Sequence, residues 1–233
     1  MQEPIKHYYN KLGIKTSQIK EIICGNKYVA IQLNNGNIGV CSTLKGNVNT
    51  TIDELSNFNS TSISHRIVAT AYYNALLNYD REYKKQIDIF NEIDFNKFKN
   101  IVMIGFFGSL TDKFKKAAIN LSIFDLKSDN DAIIDIKNQR EYLASADVVI
   151  LTSTSVFNST FLDIVNLTTN NCRVYTLGPS TILDADMFKY NNIHTIFGSI
   201  FTKNDMELLE IIRNDGGTKD FLHLMKKVCF ENN

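Results

Sequence analysis

The pattern of hydrophobic positions changes character near Asn100. Before it, a helical pattern over residues 3–24 is followed by two β-type runs, 28–33 and 38–41, on either side of an Asn-Gly turn at 34–37. An Asn-Gly pair between such runs is a strong hairpin signal, because both residues accept positive φ at low cost. The sequence therefore predicts a β-hairpin in the N-terminal part.

A further helix is predicted after a stretch rich in Ser, Thr and Asn. Apolar residues such as Ile67 and Ala71 recur there at helical spacing, and either Ser62 or Ser64 can cap the helix. We expect this helix to pack against the hairpin. The charged residues over 80–100 predict a helical or loop connection to the second half of the chain.

From Asn100 onward, short apolar runs alternate with amphipathic segments of helical length. The five runs cover residues 101–104, 121–124, 148–151, 173–177 and 194–197. Runs that are apolar on both faces are typical of central parallel strands, which helices cover on both sides. The chain is therefore predicted to be α/β, with a Rossmann-like, mainly parallel sheet flanked by helices. A smaller α+β unit of hairpin and helices precedes it.

Composition narrows the classes of function. Among 233 residues, 25 Lys and Arg balance 25 Asp and Glu, so no net field draws the protein toward nucleic acid or an anionic membrane. No stretch has the length and apolarity of a signal peptide or a membrane span, which predicts a cytoplasmic protein. We expect a small-molecule or metal-containing ligand, no nucleic-acid or membrane partner, and leave self-association open.

Cysteine and histidine give no metal-site pattern. The cysteines at 24, 41, 172 and 229 are scattered without a C-x-x-C pair, which predicts reduced, mostly buried thiols rather than disulfides or a zinc site. No histidine has a neighbouring His or Cys at metal-ligand spacing, and neither a G-x-S-x-G elbow nor a Walker loop occurs. The residues therefore name no general acid, base or nucleophile, and whether the protein is an enzyme stays open.

Candidate chemistry lies where the predicted parallel strands end, because ligands bind beyond the carboxyl ends of such strands. After the first strand, a G-x-x-G turn contains Gly105, Phe106 and Gly108 and leads into a helix predicted to begin near Thr111. The turn lacks the full G-x-G-x-x-G fingerprint, so ligand contact and a purely structural turn remain alternatives. Asp125 follows the second strand, where it is either a ribose ligand or a solvated turn aspartate beside Lys127.

Hydroxyl groups follow the third and fourth strands. The candidate ligand contacts there are Thr152, Ser153, Thr154, Asn158, Thr160, Gly178, Pro179, Ser180 and Thr181. Thr160 and Asp163 resemble a capping box, but one helix start cannot use all of these hydroxyls. We expect a Gly-Pro turn after the fourth strand to aim Ser180 and Thr181 into the same crevice, with further turns at Gly198 and 215–218.

Several segments together resemble a known family. They are residues 71–78, 104–108, 151–154 with 158–160, 178–181 and 216–218, and they occur in the order found in the "putative heavy-metal chelation" family. The resemblance implies an enolase N-terminal-like domain over 1–86, a connection over 87–99, and a Rossmann-like ligand-binding domain over 100–233. It also implies a cleft between the domains and a role in handling metal ions. Residues 154–157 are looser than the family's usual T-x-T-L-x-N run, and Asp125 stands where the family commonly has Glu.

Three hypotheses follow. In the first, the protein binds a small ligand in the cleft, either an anion or, as the resemblance implies, a metal ion or metal chelate in heavy-metal homeostasis. The residues alone neither require nor support a metal, since hydroxyls and amides are poor ligands for soft heavy metals. In the second, an enzyme binds a nucleotide or S-adenosylmethionine in the same cleft, with Asp125 on the ribose. In the third, an oligomeric structural module uses its polar turns only to cap helices.

Overall fold

The chain folds around two β-sheets in the computed structural model, which describes residues 1–83, 86–126 and 130–232. A three-stranded antiparallel sheet has the order β1-β2-β3, and a six-stranded, mostly parallel sheet has the order β5-β4-β6-β7-β8-β9. Helices flank the larger sheet, so the predicted mixed α/β class is confirmed. Lys127 lies outside the described residues, and the division into domains at 86 and 100 stays a prediction.

The N-terminal elements differ from the sequence prediction at one place. Their bounds are α1 Pro4–Leu12, β1 Ile19–Cys24, β2 Tyr28–Leu33, β3 Ile38–Ser42, α2 Ile52–Leu55 and α3 Ile63–Leu77. The helical pattern over 3–24 was wrong beyond Leu12, because Gly13 ends α1 at a φ of 64° and β1 follows. The β-branched Ile19, Ile22 and Ile23 favour a strand there. The predicted hairpin is thus the second half of a three-stranded sheet.

The hairpin of β2 and β3 is confirmed, with pairs from Tyr28 opposite Ser42 to Gln32 opposite Ile38. In its turn only Gly36 has a positive φ, of 88°. The neighbouring Asn35, expected to share that conformation, does not.

Helix α3 packs on this sheet as expected. Its N-cap is Ser62, whose side chain accepts a hydrogen bond from the His65 N–H, whereas Ser64 lies inside the helix. Gly39 of β3 faces the Ala71 carbonyl so closely that a Cβ on the glycine would overlap it. The absence of a side chain at Gly39 therefore lets helix and strand approach.

The larger sheet is built from the second half of the chain. Its strands are β4 Ile101–Ile104, β5 Ser122–Phe124, β6 Val148–Thr152, β7 Arg173–Leu177, β8 Ile193–Ile200 and β9 Lys226–Glu231. The helices are α4 Ile89–Glu92, α5 Gly108–Lys116, α6 Gln139–Ser145, α7 Thr154–Phe157, α8 Phe161–Leu167 and α9 Met206–Arg213. The five predicted strands are confirmed in parallel register, and β9 adds an antiparallel edge strand that the sequence did not predict. Its partly exposed, Lys-containing sequence lacks the continuous apolar run used to find the others.

Two local predictions were wrong. Helix α5 begins at Gly108 rather than near Thr111, because the chain turns directly after Gly105. Gly198 lies inside β8, paired with Val228 of β9, and makes no turn. Its missing side chain leaves room for Leu183, whose Cδ2 would lie 3.0 Å from a Cβ at this position.

The two sheets are joined through shared packing. Strand β2 is buried along its whole length, since α3 covers one face of the small sheet and α9 the other. On the α9 side, a cluster of buried apolar residues joins Tyr28 and Ala30 of β2 to Leu208 and Ile212 of α9. Among the described residues, no helix is long and apolar enough to cross a membrane.

Candidate functional site

A cavity of about 400 Å³ lies at the carboxyl ends of β4, β5, β6 and β7, where the small sheet meets the large one. Of the sequence-predicted contacts, those that line it are Gly105, Phe106, Asp125, Thr152, Ser153, Thr154, Asn158, Thr160, Gly178, Pro179 and Ser180. Gly108 and Thr181 are not among the lining residues. The predicted strand-end turns therefore meet around one space, although whether each residue binds a ligand remains a prediction.

The turn after β4 is held by its neighbours on both sides. Gly105 has a φ of 92°, and a Cβ on it would lie 2.7 Å from the Cβ of Thr152 on β6. Asp125, at the end of β5, accepts a hydrogen bond from the Phe106 N–H at 2.7 Å. One carboxylate oxygen of Asp125 therefore shapes this turn, a role that the sequence alternatives did not include.

The segment after β6 forms the polar wall of the cavity. The hydroxyls of Thr152 and Thr154 lie 3.0 Å apart, and both residues are half-buried. Asn158 accepts at Oδ1 from the Thr160 hydroxyl at 2.7 Å. The Thr160 N–H also donates to this oxygen, at 3.1 Å, and closes an Asx turn. The predicted capping box was therefore wrong, because the Thr160 side chain makes no cap bond to α8.

The side-chain hydroxyls of the Gly-Pro turn after β7 form hydrogen bonds within the protein. Ser180 accepts a hydrogen bond from the Ser42 N–H at 2.9 Å, which fastens the turn to the end of β3. Thr181 donates to the carbonyls of Gly178 or Phe197, each 2.8 Å away, and also contacts the Ser153 hydroxyl. Each of these three hydroxyl residues is only 2% exposed, so most of their hydrogen-bonding capacity serves the fold. The expectation that Thr181 points into the crevice was wrong.

Sequence reasoning missed the lining residues that the small sheet and the start of α6 contribute. They include Tyr28, Ser42, Leu44 and Gln139, whereas Thr218 lies in the turn predicted at 215–218. Tyr28 and Thr218 share a hydrogen bond of 2.7 Å between their hydroxyls, and burial raises the pKa of Tyr28 to about 12. A tyrosine in an apolar strand carries no local signal for such a role, since only the packing of the two sheets brings it here.

The cavity also has an apolar wall. Its members are Ile104, Phe106, Phe107, Phe124, Leu126, Ile136, Ile164 and Leu177. Leu126 is 68% exposed and Ile136 42%, so this wall reaches the surface. A pocket with one apolar wall and a few placed polar groups is typical of sites for small organic molecules.

The donors around the cavity do not fit a bare heavy-metal ion. Among the described lining residues Asp125 alone is charged, and the other polar donors are hydroxyls, amides and backbone groups. Soft metals prefer thiolate and imidazole. Throughout the described residues, no group of three or more His, Cys, Asp or Glu side chains is placed to hold a metal.

The four cysteine thiols lie outside the cavity lining. Cys41 and Cys172 are buried, whereas Cys24 is exposed and Cys229 half-buried, so the prediction of mostly buried cysteines holds for only two of them. Burial raises the pKa of Cys41 to about 12, which keeps it a thiol at neutral pH. None of the four lines the cavity.

Comparison with known proteins gives a family and a fold. Two family models described as "Putative heavy-metal chelation" match the chain, one over residues 7–77 and the DUF364 model over residues 88–230. A DUF364 protein of unknown function from Pyrococcus horikoshii superposes with a TM-score of 0.82 at 18% identity, covering 98% of this chain and 100% of the other. One from Desulfitobacterium hafniense DCB-2 gives 0.76 at 18% identity, covering 98% of both chains. No curated protein matches the sequence.

Proposed function

This chain belongs to the family described as "Putative heavy-metal chelation", and on that premise we propose that its cavity binds one small organic molecule capable of carrying a metal. The observation that carries the proposal is the convergence of four strand ends, those of β4, β5, β6 and β7, with Tyr28 and Ser42 of the small sheet around a single space. In open parallel sheets this edge is where ligands bind. A cavity of about 400 Å³ suits a compact molecule rather than a dinucleotide.

The polar and apolar walls indicate how such a molecule would be held. Thr152, Thr154 and Asn158 offer neutral donors and acceptors to such a molecule, and the phenylalanines of the β4 turn offer it an apolar surface. The metal would arrive already bound to the organic ligand, because the protein supplies no thiolate or imidazole at the cavity. Metal handling in this proposal is thus recognition of a chelate.

Adjacent residues of α6 provide a matched test. Gln139 lines the cavity, whereas Arg140 is exposed and does not. A library of compact organic molecules is screened by thermal shift against the native protein, Gln139→Trp and Arg140→Trp. Ligands that bind the folded state raise the midpoint by mass action. Hits should act on the native protein and Arg140→Trp but lose their effect on Gln139→Trp.

A separate arm of the same screen addresses the metal. Nickel, cobalt or zinc chloride alone should leave the midpoint unchanged, since no thiolate or imidazole lines the cavity. If a bare metal raises the midpoint of the native protein and Arg140→Trp but not of Gln139→Trp, direct metal binding at the cavity replaces the chelate proposal.

A second candidate is an enzyme that binds a nucleoside-containing cofactor, such as a nucleotide or S-adenosylmethionine, in this cavity. Asp125 favours it, because this acidic residue lines the cavity at the end of the strand next to the Gly105 turn. Calorimetric titration with adenosine and with S-adenosylmethionine tests it. Asp125→Asn is the suitable variant, since the amide oxygen can still accept the Phe106 N–H bond while the charge is lost. Unchanged binding in that variant would remove the assigned role.

A further inference from the structure

The guanidinium of Arg66 is buried between the N-terminal segment and the cavity wall. The side chain belongs to α3, is only 3% exposed, and lies outside the cavity lining. Its five N–H groups meet five acceptors, which is the full donor capacity of an arginine. Two bonds go to the carboxylate of Glu3, one of them at 2.8 Å, and a third goes to the Ser60 carbonyl at 3.2 Å.

The remaining two bonds end on α7. Arg66 donates from Nε to the Phe157 carbonyl at 2.5 Å and from Nη2 to the Val156 carbonyl at 2.7 Å. These are the last two residues of the helix, whose carbonyls have no partner within such a short helix. Arg66 thus supplies, from a different element, the donors that end α7.

Helix α7 carries the polar wall. Thr154 begins it, Asn158 follows it directly, and both line the cavity. The chain then reverses at Ser159, which has a φ of 68°, a conformation that non-glycine residues adopt only when their surroundings hold them there. The orientation of this wall therefore depends on contacts from outside the segment.

We propose that Arg66, fixed by Glu3, is a positioning residue for the cavity: it holds α7 so that Thr154 and Asn158 face a bound molecule, without touching that molecule itself. The neutralising carboxylate belongs to the residue preceding α1, so the N-terminal segment is coupled to the polar wall. That the polar wall binds a ligand rests on the proposed function. The positioning of this wall by Arg66, however, can be measured without any ligand.

Hydrogen exchange followed by mass spectrometry tests the inference on the full chain. The amide of Asn158 bonds to the Thr154 carbonyl and that of Val156 to the Ser153 carbonyl, so their exchange reports on the α7 turn. Arg66→Lys removes the fork of donors but keeps the charge, and exchange at these amides should accelerate about tenfold or more. Exchange in β6 and β7 should remain as in the native protein.

Two further variants complete the experiment. Glu3→Gln keeps the guanidinium and should give a smaller local acceleration, which decides the question if Arg66→Lys fails to fold. Arg213→Lys is the matched control, because Arg213 also pairs with two carboxylates, those of Glu21 and Glu210, but on the exposed side of α9. It should leave α7 unchanged.

The outcomes separate the two proposals. Unchanged exchange at α7 in a folded Arg66→Lys or Glu3→Gln protein, or acceleration spread evenly over all helices, would overturn the positioning role. If exchange accelerates at α7 alone while the screen of small molecules finds no ligand for the native protein, Arg66 still positions the turn and the binding proposal is the one that fails.

Discussion

Gly105 and Thr152 lie at the ends of neighbouring strands and are so close that a Cβ on the glycine would sit 2.7 Å from the Cβ of the threonine. The contact joins the turn after β4 to the turn after β6, and both line the cavity. Because real Cβ atoms do not approach each other at this distance, the absence of a side chain at Gly105 decides how closely the two turns meet.

Gly105→Ala should destabilise the protein strongly. It adds both the strain of a φ of 92° and the clash with Thr152, together about 2–4 kcal/mol in the free energy of unfolding. Gly13 provides the control, since its φ is 64° but nothing lies within 4 Å of an added Cβ. Gly13→Ala should cost only the backbone strain, about 1–3 kcal/mol, because a φ of 64° with a ψ of −172° is adopted almost exclusively by glycine. Urea denaturation of both variants measures the difference, and equal losses would show that the clash is relieved without cost.

The lowered pKa of Asp186 should make the free energy of unfolding depend on pH. Its carboxylate accepts hydrogen bonds from Lys11 and His7, at 2.6 and 2.7 Å, and pairs with Lys189 at 2.6 Å. Burial opposes ionisation, but the hydrogen bonds from Lys11, Lys189 and His7 outweigh it and hold the pKa of Asp186 well below its usual range. A carboxyl with a depressed pKa in the folded state stabilises the fold above its unfolded pKa of about 4, and that contribution disappears as the pH falls.

Asp186→Asn should therefore lower the free energy of unfolding at pH 7 by about 1–2 kcal/mol, since the partly exposed lysines are screened by solvent. The gap between variant and native protein should narrow as the pH is lowered below about 4. Urea denaturation at pH 7, 4 and 3 measures it. A gap that is constant over this range would mean that the carboxylate charge contributes nothing.

The hydrogen bond between Tyr28 and Thr218 joins the small sheet to the turn before β9 across the cavity wall. Tyr28→Phe and Thr218→Val each remove one partner, and each should destabilise by about 1 kcal/mol. The double variant should lose less than the sum, with a coupling of about 0.5–1 kcal/mol. A double-mutant cycle from urea denaturation tests this, and strictly additive losses would show that the bond does not stabilise the fold.

The parallel strands could be predicted from sequence because their signal is local. The run from Ile101 to Ile104 is buried on both faces, and a short apolar run of this kind is typical of a central parallel strand. Strand β1 was missed because its sequence has no clear local pattern. Its exposed and buried positions alternate irregularly, with a register shift between Ile19 and Glu21, and the predicted helix ran past the stop signal of Gly13.

The candidate site was predictable only where sequence position fixes spatial position. The ends of parallel strands must share one edge, so Gly105, Asn158 and Gly178 could be expected to meet. Tyr28 could not, because it depends on how the small sheet docks. Nor does the sequence show that the Thr181 hydroxyl bonds to backbone carbonyls, since packing decides the hydrogen-bond partners of a hydroxyl.

Native mass spectrometry of the purified protein is the sharpest test of whether the cavity holds an organic molecule. We expect an adduct of a few hundred daltons on the native protein and on Arg140→Trp, with a mass that identifies an organic molecule, free or with a metal. The adduct should be absent from Gln139→Trp, because a larger side chain at this lining position should obstruct the cavity. An adduct that persists in Gln139→Trp, or that corresponds to a metal ion alone, would contradict the chelate proposal.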